Sequence, residues 1–326
     1  MLLIRRPDTD PYFNLAAEEY LLKSTGEDLF MAWRNKPCIV VGKHQNTSRE
    51  VNHEFALQHK LPVIRRISGG GAVYHDPGNI NFSFIFTGRK ENPIDFRLFT
   101  RPVIGFLSIL GLDARLEGKS SLVVGDVKIS GNAAHIYRDK VLYHGTLLVN
   151  TDLEVLEQAL NGRETNYHDR AVRSVKARVG NLSALLEAPM DVRLMIKSLY
   201  GYIQSIHPEA ITTKLLPKEK EAIGRLAQEK YHSTEWNYRY SPAYSFSRTF
   251  ILDRSRVNLK LEVKNGLILK IRVKGPPIPD AWTRRAEEIL LGQPHEKKPL
   301  SRMLAAYNFV SREELDFLNQ ISLHLF

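Results

Sequence analysis

A single cysteine, Cys38, occurs in 326 residues. No internal disulfide and no cysteine-based metal cluster can therefore form, which fits a reducing compartment. No run of eighteen or more apolar residues is present, so no segment has the length of a membrane-spanning helix and no membrane partner is expected. The opening Met1-Leu2-Leu3-Ile4-Arg5-Arg6-Pro7 lacks the charged start, long apolar stretch and small-residue cleavage site of a signal peptide. It is not an Arg/Ser-rich presequence either, so the expected location is the bacterial cytoplasm, or the mitochondrial matrix if a presequence has been removed. Internal repeats and low-complexity tracts are also absent.

What is present is the composition of a globular chain, 43% hydrophobic and 25% charged. That length allows one large domain and a smaller one, each with its own core. The formal charge of +10 calls for an acidic ligand or partner. Nucleic acid is not expected, because the basic residues are spread along the chain and no zinc-finger spacing or aromatic RNA-binding motif accompanies them.

Asp10-Pro11 starts an amphipathic helix running through Phe13 to Leu22. Short β-branched or aromatic runs follow at 29–33, 38–41, 62–66, 72–74 and 81–86, with Gly42, Gly69–Gly71 and Pro77-Gly78 between them. A helix is predicted over 98–110. Residues 122–124 and 127–130 read as a hairpin turning at Gly125-Asp126, 141–148 as a strand and 153–160 as a helix. Near Ser241 the pattern restarts with strands at 246–252, 257–263 and 267–273, the last two joined by Asn265-Gly266. Helices are expected from Ala281, Pro299 and Ser311. The fold class is therefore α+β, with a large domain over 1–240 and a small β-then-α domain over 245–326.

Several motifs fail on inspection. Gly118-Lys119-Ser120 has Asp113 where a phosphate-binding loop requires glycine. The Gly69–Gly71 run has Tyr74 at the third glycine of a dinucleotide fingerprint, and His53-Glu54 precedes His59 at the wrong spacing for a zinc helix.

The segment from Arg65 to Asp76 stands out. Two arginines enter three successive glycines, and the chain leaves through Ala72-Val73-Tyr74-His75. Three glycines cost backbone entropy, and they suit a place where main-chain N–H groups approach an anion. The adjacent arginines add fixed charge for a carboxylate or phosphate. A flexible hairpin with solvated arginines is the competing reading. Lys128, between Val127 and Ile129, is by itself an ordinary outward-facing strand lysine, and His144 by itself a structural histidine.

In combination these segments resemble the lipoate-protein ligase A and lipoyltransferase family. The likeness runs through Asn14-Leu15-Ala16-Ala17-Glu18-Glu19, Trp33-Arg34-Asn35, Val41-Gly42-Lys43-His44-Gln45-Asn46 and Gly78-Asn79-Ile80-Asn81. It continues through Ser174 to Val179 and Asn181-Leu182, covering about residues 12 to 182. Glu235-Trp236-Asn237-Tyr238 looks like the family's tryptophan motif. The resemblance implies a mixed-sheet biotin/lipoate ligase-like catalytic domain with a small C-terminal domain. It also implies activation of lipoate with ATP to lipoyl-AMP, then transfer of the acyl group to a lysine of an apo lipoyl domain. The carrier would belong to a 2-oxoacid dehydrogenase or the glycine-cleavage system, and Mg2+ would neutralise the triphosphate.

By the same resemblance, Arg66 and the backbone of Gly71, Ala72, Val73 and Tyr74 hold the nucleotide. Lys128 bridges the acyl carboxyl and the α-phosphate. Arg66, Ser68, Gly69, Gly70, His75, Lys128, Gly131, Asn132 and His144 are the lipoate-binding set, with Asn79 and Ser121 nearby. One departure stands out: where the family has Gly-Arg-Asn-Asp, this chain has Gly118-Lys119-Ser120-Ser121, without the carboxylate. That leaves open a transferase fed with preformed acyl-AMP, or a non-catalytic lipoate- or nucleotide-binding relative. A thioester route would have only Cys38 to use, and a buried structural cysteine is the expected reading. Biotin ligases share the broad fold, but their Gly-Arg-Gly-Arg loop is absent.

Overall fold

The computed structural model describes residues 1–88, 94–160, 162, 166–175, 177–188, 190–252, 254–275, 278–296, 299–300, 303 and 311–325. Lys176, part of the family-like stretch after Ser174, lies outside them, as does most of the segment following Pro299.

The strands in chain order are β1 (Leu2–Arg5), β2 (Leu29–Trp33), β3 (Cys38–Val41), β4 (Val63–Arg65), β5 (Val73–His75), β6 (Asn79–Phe86), β7 (Ala114–Glu117) and β8 (Ser121–Val124). They continue with β9 (Val127–Tyr137), β10 (Lys140–Leu148), β11 (Tyr167–Asp169), β12 (Ile211–Thr213), β13 (Tyr244–Leu252), β14 (Ser255–Lys264) and β15 (Leu267–Lys274). Eight of them form one mixed sheet, ordered β12-β1-β2-β6-β10-β9-β8-β7, in which β1 runs parallel to both neighbours and the other pairs are antiparallel. Helices Phe96–Ile109 and Val192–Ile206 cover one face, where Phe82, Phe84, Phe99, Phe106, Tyr143 and Tyr200 pack together. Helix Pro11–Ser24 and the small sheet β4-β3-β5 cover the other.

Asp10 caps helix Pro11–Ser24, its carboxylate accepting from the Phe13 N–H at 2.8 Å, with Pro11 at the first turn. This helix buries polar residues as well as apolar ones: Asn14 and Glu18, one turn apart, are both sealed. Glu19, also buried, accepts from Lys23, Lys230 and Tyr231. Burial alone would raise its pKa, but these donors outweigh it and hold the carboxyl below the usual glutamate value.

The hairpin expected to end at Ser130 continues much further. Asn132, Ala133 and Ala134 stay in β9 because β10 supplies partners: Ala134 lies opposite Tyr143, Ala133 opposite His144 and Asn132 opposite Gly145. Tertiary pairing overrides weak local propensity there. Strands β1, β7, β11 and β12 and the helices Val192–Ile206 and Pro217–Leu226 were not anticipated.

A second correction concerns the adjacent arginines. Successive side chains on a strand point to opposite faces, so Arg65 and Arg66 cannot serve one ligand. Arg65 is fully buried away from the cavity. Its guanidinium donates to the carbonyls of Gly42, Lys43, Gln45, Trp236 and Asn237 and to the hydroxyls of Thr47 and Ser241, at 2.6–3.1 Å. Its own carbonyl accepts from the Trp236 indole at 2.6 Å and its N–H donates to the Asn237 side chain. The tryptophan segment is thereby docked on the catalytic sheets.

The remaining sheet, β11-β13-β14-β15, packs with helices Asp280–Leu290 and Arg312–Leu323 around Val257, Leu259, Leu261, Phe317 and Ile321. Its edge strand β11 comes from residues 167–169, far earlier in the chain. No helix among the described residues is long and apolar enough to cross a membrane.

Candidate active site

One cavity of about 700 Å³ opens between the small sheet, the β8–β9 hairpin and the 172–178 loop. Of the residues singled out in the sequence, Arg66, Gly70, Gly71, Ala72, Val73, His75, Ser121, Lys128, Gly131, Asn132 and His144 line it. Ser68, Gly69, Tyr74 and Asn79 do not. Ser68 lies buried behind the wall, Gly69 offers its carbonyl to Arg66, and Tyr74 packs with Ile39 and Val41 on the far face of its strand. Asn79 donates to Asn81 at 3.0 Å.

The glycine loop is built by close approach. A Cβ on Gly42 would sit 2.1 Å from the Gly70 carbonyl oxygen, and Gly70 itself has φ +88°, which side chains rarely tolerate. Arg66 reaches across the loop and donates to the carbonyls of Gly69 at 2.5 Å and Gly71 at 2.8 Å. Burial lowers its guanidinium to about 10, partly offset by Glu18, so it is still a cation at neutral pH.

Lys128 owes its direction to an irregularity in the hairpin. Val123 pairs with Lys128 but Leu122 pairs with Ser130, leaving one extra residue on β9. Such bulges break the alternation and re-aim a side chain. The Lys128 backbone is held by the 178–180 segment, its N–H donating to Arg178 and its carbonyl accepting from Gly180. The side chain is half-buried, and burial lowers its pKa. It has no ion-pair partner among the described residues.

Along the cavity wall the hydrogen-bond directions form one consistent chain. Arg66 Nε donates to Ser68 Oγ at 3.0 Å, Ser68 lies 2.6 Å from His144 Nε2, and His144 Nδ1 lies 2.8 Å from Glu18. Glu18 also accepts from Ser83. A serine, histidine and carboxylate at these spacings invite a nucleophilic reading. However, Ser68 is 0% exposed, its oxygen already accepts from Arg66, and it does not border the cavity. The chain holds the wall in place instead.

Asn132 is likewise committed to the protein. Its Oδ1 accepts from Tyr143, and its Nδ2 donates to the Ser120 carbonyl and Ser130 Oγ. It fixes the Gly118–Ser121 turn over the cavity. Ser174 does the same for the opposite rim, accepting from the Ala72 N–H and Gln45 and donating to Glu50. Sequence reasoning named neither Ser174 nor Glu18, Trp33, Asn81 and Thr146 as site residues. Two glutamates inside an otherwise apolar helical face were the available signal for Glu18.

The cations around the cavity are Arg66, Lys119, Lys128, Arg173 and Arg178. The carboxylates are Glu18, consumed by His144, Glu117, and Asp126, which pairs with Arg178 at 2.6 Å on the exposed rim. No cluster of three or more His, Cys, Asp or Glu able to hold a metal occurs among the described residues. This donor set does not make a resident magnesium site. Magnesium would enter with the triphosphate as part of the substrate, the usual way this ion is bound.

Cys38 lies in β3, fully buried and outside the cavity lining, and burial pushes its thiol far up. A thiolate nucleophile is therefore not at hand. Cys38→Ala is expected to leave turnover within about twofold while costing on the order of 1 kcal/mol of stability; activity assays beside thermal melts check this, and loss of activity in a folded variant would reinstate a thioester route.

Comparison with known proteins places these features in context. The model of the lipoyl protein ligase A/B catalytic domain matches residues 10–204. Lipoate–protein ligase 1 of Staphylococcus aureus is 36% identical over 306 residues, 92% of either chain. Lipoate-protein ligase LplJ of Bacillus subtilis is 33% identical over 323 residues, 96% of this chain and 97% of its own. Among solved structures, a putative lipoate protein ligase from T. acidophilum with bound lipoic acid has a TM-score of 0.61 at 26% identity, covering 73% of this chain and 98% of its own. A lipoate-protein ligase A bound with ATP has a TM-score of 0.60 at 26% identity, covering 73% and 97%.

Proposed function

Because the chain belongs to the lipoyl protein ligase A/B catalytic domain family, we propose that it is a lipoate–protein ligase acting in two steps at this cavity. In the first, a lipoate carboxylate oxygen attacks the α-phosphorus of ATP, the bond to the bridging oxygen breaks, and pyrophosphate leaves. In the second, the neutral ε-amine of an acceptor lysine attacks the acyl carbon. The bond to the phosphate oxygen breaks, AMP leaves, and the amine proton passes to solvent as the amide forms.

The observation that carries this reading is the convergence of Lys128, Arg66 and the glycine loop on one cavity. The first step brings two anions together, and its charge must be met by fixed cations in a partly dry site. Lys128, aimed by the bulge and bound to no carboxylate among the described residues, is a free cation for the acyl carboxylate and the α-phosphate. Arg66 braces the loop whose backbone faces the nucleotide. Leu15, Trp33, Val40 and Phe82 also line the cavity and supply an apolar wall that suits the acyl chain.

ATP is supported by the relative bound with ATP, and lipoate by the relative with bound lipoic acid. A neighbouring structure pairs a bi-partite lipoate protein ligase with its E2 lipoyl domain; it stands at 24% identity and supports the fold alone. Relatives that are lipoate–protein ligases support a protein acceptor, and we assign an apo lipoyl domain to that role. Carriers of the 2-oxoacid dehydrogenases and of glycine cleavage are the expected candidates, drawn in by the chain's excess of basic residues. The bacterial origin of those relatives supports the cytoplasm as the place of action.

Single-turnover acylation of an apo lipoyl domain tests the scheme, comparing lipoate plus Mg-ATP with preformed lipoyl-AMP. Product from both is expected. Product from lipoyl-AMP alone would identify a transferase that relies on another activating enzyme. Ser121→Asp gives a sharper version. Ser121 lines the cavity at the start of β8, and a carboxylate there would add a magnesium ligand. Pyrophosphate release is expected to rise at low magnesium, by about threefold to tenfold for one added charge-assisted contact, with little change at saturating magnesium.

A further inference from the structure

A second cavity, of about 480 Å³, shares no lining residue with the active site. Its walls include Arg5, Arg6, Asp8, Tyr200, Lys214 and Lys220. It lies where two parallel strands finish: β1 closes at Arg5 and β12 at Thr213, and the chain runs on into Arg6–Asp8 and Lys214. The crevice outside the carboxyl ends of parallel strands is a general place for ligands.

Two buried polar atoms here have no hydrogen-bond partner among the described residues: Arg6 Nε, a donor, and Asp8 Oδ2, an acceptor. Arg6 is 6% exposed, and the far end of its guanidinium is already fixed. Nη2 donates to Asn14 Oδ1 at 2.5 Å, Nη1 lies 3.5 Å from the Met31 sulfur, and the group stands over the rings of Phe13 and Trp33. Only Nε is left. Asn14 also donates to the Asp8 carbonyl at 3.0 Å, which ties the two residues to one anchor. Burial lowers the pKa of Arg6, and the charge of Asp8 leads the effects that oppose this. Even so, no ion pair joins them among the described residues. A buried donor and a buried acceptor, both unmet in one cavity, mark the place of a group that offers both.

The surrounding charge sets the sign of that group. Lys214 and Lys220 enter no ion pair among the described residues, and Asp8 is the one carboxylate among the described residues that line the cavity. Arg5 leaves the chain on the opposite face from Arg6, where its guanidinium stacks 4.0 Å over the Tyr200 ring. The Tyr200 hydroxyl is committed as well, donating to the Ile4 carbonyl and accepting from the Ala32 N–H.

We propose that this cavity is an anion site for a phosphate group that keeps a hydroxyl. Arg6 Nε donates to a phosphate oxygen, Asp8 Oδ2 accepts from the phosphate hydroxyl, and the exposed Lys214 and Lys220 supply charge at the mouth. Hydrogen phosphate satisfies all of these at once. Sulfate has the same shape but no proton to give, so it leaves Asp8 unmet and faces its charge directly. Free phosphate and the pyrophosphate released on acyl activation offer the same chemistry.

Calorimetric titration of the full-length protein with phosphate, sulfate and pyrophosphate, at neutral pH and matched ionic strength without ATP, tests the site. Phosphate is expected to bind at least about tenfold more tightly than sulfate, the cost of one buried acceptor left unmet. Asp8→Asn should bring that ratio to near one, since an amide can donate to sulfate. Lys214→Ala combined with Lys220→Ala should weaken phosphate about fivefold, as for two partly screened charges, whereas Lys128→Ala should leave phosphate affinity unchanged. Pyrophosphate binding more tightly than phosphate, with the same dependence on Asp8, would identify the reaction product as the ligand. Equal affinities for phosphate and sulfate in the wild type would overturn the proposal. So would phosphate binding that is lost in Lys128→Ala and untouched by the lysine pair, or no phosphate binding up to about 10 mM. If Asp8→Asn fails to fold, the wild-type ratio and the variants of the two exposed lysines still decide.

Discussion

Replacing Lys128 by alanine is expected to slow single-turnover formation of lipoyl-AMP by at least 10²–10³-fold, the usual cost of removing one preorganised charge donor at a developing anion. The loss should fall on kcat, because the cation acts where negative charge accumulates between carboxylate and phosphate, more than on binding of either substrate alone. The fold should persist. The side chain is only half-buried and pairs with no carboxylate among the described residues, and the β8–β9 bulge is held by backbone contacts to Arg178 and Gly180. Lys128→Arg should not rescue the rate, since a planar fork cannot replace a compact ammonium between two anions. Rapid-quench measurement of acyl-AMP beside a thermal melt checks this. Near-wild-type rates would remove Lys128 from the reaction.

The second large effect is on stability. Arg65→Ala is expected to cost about 3–5 kcal/mol, the range for stripping a buried charged group from a network of acceptors, and to lower Tm by on the order of 10 °C. Arg65 meets five carbonyls and two hydroxyls and no carboxylate; burial brings its guanidinium down to about 10. Removing it leaves the carbonyls of Gly42, Lys43 and Gln45 facing an empty space, and the tryptophan segment loses its anchor. Arg65→Lys should recover little, because one ammonium has three donors against a fork of five. Denaturant unfolding checks both. A cost below about 1 kcal/mol would mean that water replaces the guanidinium without strain.

The neighbouring Arg66 shows what sequence could and could not convey. The Arg-Arg-Ile-Ser-Gly-Gly-Gly run marks a ligand loop by its composition, and the loop does border the cavity. The division of labour between the two arginines follows from strand alternation, which is readable once β4 is known to end at Arg65. The bulge that aims Lys128 was not readable. It depends on a register shift against β8, and nothing in Val127-Lys128-Ile129 encodes it. The same holds for Asn132 and Ser174. Asn132 reads as a lipoate contact by resemblance and Ser174 has no site role in the sequence, yet one pins the Ser120 turn and the other the glycine loop, through partners 12 and 102 residues away. The three strands of the C-terminal sheet were legible because their alternation is regular and Asn265-Gly266 closes the turn. Its fourth strand, β11, has three residues and no pattern of its own.

That fourth strand bears on how the chain could be cut. Tyr167, His168 and Asp169 lie along β13, while the residues just after them, from Val172 to Arg178, border the cavity. Arg49 meets Asp169 in a sealed ion pair at the junction. A gene split near residue 240 would therefore yield a first product that is not self-sufficient. Its 167–169 segment would present unsatisfied backbone to any passing strand, and the strand that leads into the cavity rim would lose its β13 partner. The C-terminal sheet works as a clasp on the catalytic rim, and the two products of such a split would have to find each other before either resembled the intact enzyme.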